Sequence, residues 1–177
     1  TGGAQASYGG GLGDAFVTRL NSSLTQILQS TYLGGRSNDY AYALAIHPTT
    51  GDVYVAGETM SNNFPGTSGG AQASRGGFFD SDAFVAMLNS SLTQILQATY
   101  LGGSRWDRAY ALAIHPTTGD VYVAGETDST DFPGTSGGAQ PALRVGFFDP
   151  DAFIARLNSG LTQILQATYL GGSGEDR

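Results

Sequence analysis

The nineteen residues AYALAIHPTTGDVYVAGET occur twice in this chain without a change, at 41–59 and at 109–127. Three more anchors repeat around them. DAFV or DAFI begins at 14, 82 and 151, TYLGG at 31, 99 and 168, and GGAQ at 2, 69 and 137, so the period is 67–69 residues throughout. Segment 78–103 matches segment 147–172 at 22 of 26 positions. Repetition at a fixed period means one supersecondary unit used several times, each copy burying its faces against its neighbours. A period this long exceeds one helical hairpin and suits a four-stranded unit.

Four strands are expected in each unit. Strand A is YALAIH at 42–47 and 110–115; strand B is DVYVAGE at 52–58 and 120–126. Strand C falls at 14–20, 82–88 and 151–157, and strand D at 24–33, 92–101 and 161–170. Their Val, Ile, Tyr, Phe and Thr content favours pleated structure. HPTTGD joins A to B, with Pro early and Gly late, as a short hairpin with a bulge requires. LNSSLT joins C to D, and a Gly/Pro-rich loop of about twenty residues joins B to C. Strand A carries Tyr42, Leu44 and Ile46 on one face and Ala41, Ala43 and Ala45 on the other. With neither face polar, the strand is expected to be buried on both sides, where sheets converge. Strand D, with Gln26 and Gln29, suits an outer edge. LTQILQATYL also fits a short helical stripe through Leu92, Ile95 and Leu96, a rival reading of that segment.

Four-stranded units repeated radially make a β-propeller. The fold class expected is therefore all-β, with blades of four antiparallel strands, about two and a half per chain. The divisions are a half blade at 1–35, full blades at 36–103 and 104–172, and the start of a further connection at 173–177. Propellers close with about 4–8 blades, which two and a half cannot reach. The chain begins TGGAQ and ends GGSGEDR, so both ends read as cut within a repeat. The bare ends imply a portion of a longer propeller, a ring built with copies of itself, or an open filament.

The ordered set DAFVxxLNSS, TYLGG, DxAYALAIHPTTGDVYVAGET and FPGT resembles the bacterial β-propeller repeat known as SBBP. The AIHPTTGDVYVAGET hairpin is also similar to repeats of NHL and streptogramin-lyase propellers. The resemblance spans essentially the whole chain. It implies a propeller fold and an exported bacterial protein, and it carries over no catalytic residue.

Composition narrows the function classes. The net charge is −7, and the eight basic residues are all Arg, with no Lys. Such a chain lacks the cationic surface that neutralises nucleic-acid phosphates or binds anionic lipid. No apolar run is long enough for a membrane-spanning helix. An acidic, Lys-free, Gly/Ser/Thr-rich repeat chain is expected outside the cell or on its surface. The absence of Cys excludes disulfides.

Few residues suggest chemistry, and no motif implies a cofactor. His47 and His115 occupy one position in two copies and read as turn residues before Pro, or as ligands converging on a metal. Asp80, Asp82, Asp149 and Asp151 form DxD pairs that cap the turn into strand C or chelate calcium; the first copy has only Asp14. GGGLGD at 9–14 lacks the strand–helix context of a phosphate loop. Glu58 and Glu126 with Asp131 are the carboxylates nearest a cleft, without the marks of a paired-acid hydrolase. NSS at 21–23 and 89–91 fits the glycosylation sequon or an Asn-Ser turn. The copies differ chiefly in the B→C and D→A connections, which strand alternation gathers at one end. Arg105, Trp106, Arg108 and Arg144 lie there, residue types typical of binding anchors.

The leading expectation is a non-enzymatic, exported scaffold whose partners are copies of itself or further repeats. The alternative is a module binding glycans or cell-surface proteins through the variable end. A lyase or hydrolase is the third reading.

Overall fold

The computed structural model describes residues 2–144, 150–172, 174 and 176, which form ten antiparallel strands in three sheets. The first sheet pairs β1 (Ala15–Leu20) with β2 (Ile27–Leu33). The second runs β3 (Asp39–Ile46), β4 (Val53–Thr59), β5 (Asp82–Leu88) and β6 (Ile95–Leu101), in chain order across the sheet. The third repeats it as β7 (Asp107–Ile114), β8 (Val121–Thr127), β9 (Asp151–Leu157) and β10 (Ile164–Leu170). The expected A-B-C-D order thus holds in both four-stranded sheets. No helix occurs among the described residues, so the helical reading of LTQILQATYL is set aside.

The connections show why these strands end where they do. In HPTTGD the His47 amide donates to the Asp52 carbonyl (2.8 Å), and Gly51 takes a φ of 74° that a side chain would resist. The C-to-D turns are less usual. Leu24, Leu92 and Leu161 sit at φ of 57°, 58° and 56°, in the left-handed region. The Asn21 side-chain oxygen accepts the Thr25 amide (2.8 Å), and Asn89 and Asn158 do the same for Thr93 and Thr162. This turn delays strand D, which starts at Ile27, Ile95 and Ile164 rather than three residues earlier as expected.

Strand A departs from expectation in two ways. It begins three residues early, at Asp39 and Asp107, and it carries a bulge at Tyr42 and Tyr110. Opposite the bulge stands glycine. A Cβ on Gly57 would lie 1.8 Å from the Tyr40 carbonyl oxygen, and one on Gly125 would lie 1.8 Å from that of Arg108.

The sheets stack in one sense. Each has a back face, toward the preceding sheet, and a front face, toward the next. Ala15, Val17 and Leu33 on the front of the first sheet form one core with Val55, Phe84 and Tyr100 on the back of the second. Tyr54, Ala83 and Val85 on the front of the second form another with Val123, Phe153 and Tyr169 on the back of the third. The two interfaces use equivalent positions of the repeat.

Strand A is not buried on both sides, which corrects the expectation from its apolar faces. Leu44 is 52% exposed and Ile46 62% exposed. The first sheet has only two strands, so nothing equivalent to A and B covers them. Their counterparts Leu112 and Ile114 face a complete sheet and are half-buried against its core.

Candidate functional site

Two kinds of connection gather at opposite ends of the sheets. At one end the D→A loops are tied to the B→C loops: the Arg36 amide donates to Asn63 Oδ1 (3.0 Å), and the Ser104 amide to Asp131 Oδ1 (2.9 Å). At the other end the Tyr54 hydroxyl, at the start of β4, donates to the Ser159 carbonyl (2.8 Å) in the C→D turn of the next sheet.

The four residues singled out at the variable end separate once their contacts are traced. Trp106 is 38% exposed, and Arg108 stacks over its ring at 5.0 Å. Arg108 does not stand as a free anchor. Its Nε donates to Glu58 Oε2 (2.8 Å) and its Nη1 to Glu126 Oε1 (2.6 Å), so one guanidinium clasps carboxylates of two successive sheets. The Arg105 amide donates to Ser129 Oγ (2.9 Å), and the Arg144 amide to Asp151 Oδ2 (3.2 Å).

The bulges of strand A complete the clasp. By adding a residue they re-aim a tyrosine. The Tyr42 hydroxyl donates to Glu58 Oε1 (2.5 Å), and the Tyr110 hydroxyl to Glu126 Oε1 (2.7 Å). Ser81 Oγ donates to Glu58 Oε2 (2.7 Å), and the two tyrosine rings lie 5.5 Å apart. Burial, then the bond to Glu58, pushes the Tyr42 hydroxyl well above the usual phenol range. Burial alone would lower the Arg108 guanidinium, but its bonds to Glu126 and Glu58 outweigh that and raise it. Both groups hold their ordinary protonation state through neutral pH. The sequence marked Glu58, Glu126 and Arg108 separately; only the bulge, invisible in the A-strand pattern, brings them together.

The aspartates that open strand C accept hydrogen bonds from the loop before them. Asp82 Oδ2 accepts the Gly76 amide (2.8 Å) and Gln72 Nε2 (3.2 Å); Asp80 is not among its hydrogen-bond partners. Its neighbour across Gly102 is Asp107: a Cβ on that glycine would meet Asp107 Oδ2 at 2.5 Å and the Asp82 carboxyl carbon at 3.0 Å. Asp107 accepts Ser129 Oγ (2.9 Å), the Gly103 amide (2.8 Å) and a short bond from Thr127 Oγ1. Asp14 and Asp39 meet across Gly34 in the same way. One oxygen, Oδ1, is buried without a hydrogen-bond partner among the described residues in Asp14, Asp82 and Asp151 alike. Burial pushes the Asp82 carboxyl up to about 6, and pushes Asp107 well above its usual range, with the charge of Asp82 adding to the effect. Asp149 lies outside the described residues. Among the described residues no three of His, Cys, Asp and Glu gather to hold a metal ion. His47 and His115 serve their turns, each Nδ1 accepting two backbone amides at 3.1–3.3 Å.

Further exposed apolar side chains lie on the two end faces of the stack. The back of the first sheet presents Phe16 (68% exposed), Leu24 (74%) and Tyr32. The front of the third presents Tyr122, Ile154 and Leu170. No family model and no curated protein matches this sequence.

Proposed function

We propose that this chain is a non-enzymatic scaffold whose sheets are β-propeller-type blades and whose two bare faces take up further blades, from copies of itself or from more of its own repeats. One observation carries the reading. The two interfaces inside the chain use equivalent residues, and counterparts of several of them stand exposed at its ends. A bare apolar sheet face is a surface that association removes from water, at about 25 cal/mol per Å². A head-to-tail contact of this kind closes into a ring or continues as a filament. The clasp on Arg108 favours a structural role, because its carboxylates are held by a cation and its hydroxyls titrate far from neutrality. The likeness to exported bacterial propeller repeats favours a place outside the cell or on its surface, as a ring, layer or fibre subunit. Electron microscopy of the purified chain tests this: rings or filaments are expected, and a field of separate single chains would contradict it.

A second reading rests on a different observation. At the variable end Phe78 and Phe79 are 78% and 81% exposed and border a shallow hollow of about 420 Å³ with Arg36 and Met60. Exposed aromatic and Arg side chains are what a glycan- or protein-binding surface offers. A glycan array with Phe79→Ala and Trp106→Ala controls tests it; loss of a signal in either variant supports it, and no signal for the parent chain counts against it.

A further inference from the structure

The C-to-D turn holds a leucine in a conformation that leucine avoids, in all three copies, and two of the three show why. Leu92 is 1% exposed and Leu161 is fully buried, each set into the front face of the preceding sheet. There the carbonyl of the same leucine also accepts a hydrogen bond. The Ala4 amide donates to Leu92 O (2.9 Å), and the Ala71 amide to Leu161 O (2.9 Å). Ala4 and Ala71 belong to the repeated GGAQ. A left-handed leucine costs on the order of 1–3 kcal/mol, and full burial of its side chain offsets about that much. Each interface is thus a knob with a latch. The knob comes from the back of one sheet; the socket and the latching amide come from the front of the one before.

The third set is split between the two ends of the chain. Leu24 keeps the same left-handed φ of 57° and the same Asn-capped turn, yet is 74% exposed. At the far end Ala139, in the third GGAQ, is exposed, and its amide has no backbone partner among the described residues. Ile154 (40% exposed) and Leu170 (43%) are the counterparts of Val85 and Leu101, which pack in one core with Leu161 and Ala71.

Resting on the stacking reading above, we propose that Leu24 of one copy seats in the Ala139, Ile154 and Leu170 socket of a second copy. The contact is polar head to tail and reproduces the interface already built twice within the chain. The Ala139 amide of the second copy donates to the Leu24 carbonyl. The Tyr122 hydroxyl takes the part that Tyr54 plays toward Ser159, donating to the Ser22 carbonyl of the incoming copy. Two residues on the back of the first sheet differ from later copies: Thr18 and Ser30 replace Ala86 and Ala98. Their hydroxyls bond to each other at 2.8 Å, so the pair can be covered without stranding a donor.

Complementary variants test this. Leu24→Asn removes the knob but keeps the turn, since Asn tolerates the left-handed region. Ile154→Glu, with Leu170→Arg as an independent second variant, spoils the socket at an exposed position. Thermal unfolding confirms that each variant folds. By size-exclusion chromatography with light scattering, parent chains are expected above the one-chain mass. Knob and socket variants alone run at the one-chain mass, and their equimolar mixture gives a complex of two chains and nothing larger, because only one intact knob–socket pair remains. Assembly of either single variant as in the parent, or a mixture that stays single while the parent assembles, overturns the proposal and leaves the broader stacking reading standing. A parent chain that is single at every concentration overturns both.

Discussion

Leu24, Leu92 and Leu161 share a backbone strain but not its compensation, and that difference can be measured. Glycine relieves the left-handed strain at any of the three. At Leu161 it also removes a fully buried side chain, so Leu161→Gly is expected to lower stability by about 1–3 kcal/mol net. At Leu24, measured on dissociated chains, Leu24→Gly is expected to gain up to about 1 kcal/mol. Urea midpoints of the two variants check the contrast; equal shifts in one direction would refute it. Arg108 gives a second test. It is the cation that the hydrogen bonds place between Glu58 and Glu126, whose side chains are 12% and 3% exposed. Arg108→Met leaves both carboxylates facing each other and is expected to cost about 2 kcal/mol, less than a fully buried pair because the guanidinium is 29% exposed. Arg108→Lys is expected to recover under half of this, since a single ammonium cannot fork to both partners. Denaturant unfolding of the two variants decides it.

Between neighbouring strands, the junction of D, the Gly-Gly pair and the next A is where buried carboxylates meet. Asp82 has a folded value near 6 against an ordinary value of 3.8, so the folded chain binds its proton more tightly than the unfolded chain. Stability is therefore expected to rise as pH falls from about 6 toward about 4, by on the order of 3 kcal/mol from this group, and Asp39 and Asp107 shift in the same direction. Asp82→Asn is neutral throughout and should flatten that part of the profile. Thermal midpoints across this range check it; a parent chain that loses stability steadily as pH falls below 6 would contradict it. These junctions also mark how far the strands were legible. The period, strand order and A-to-B hairpin were open to reading because Gly, Pro and alternating β-formers sit at fixed offsets. The late start of strand D was not, because a leucine at positive φ carries no signal of its type. The early start of strand A was hidden by Asp39 and Asp107, which read as loop residues but are fully buried acceptors. The Arg108 clasp was missed because it depends on a bulge, whose trace in the sequence is only the glycine of VAGET opposite it.

At the scale of the whole molecule, the three sheets of the described residues carry three knobs and three sockets and two internal interfaces. That count could be anticipated from the repeat, and the bare ends with it. The exposure of Leu44 and Ile46 could not be read from their own apolar pattern, because it follows from what the two-stranded neighbour lacks. The variable end is likewise only half legible: of the anchors expected there, Arg108 is committed to Glu58 and Glu126, whereas Phe78 and Phe79 stand free of the core and were passed over. Sedimentation velocity of the unmodified chain, run from nanomolar to high micromolar concentration, bears most directly on whether these faces seek company. The average sedimentation coefficient should climb with concentration as head-to-tail contacts form. A single boundary at the value of one chain over the whole range would contradict the account.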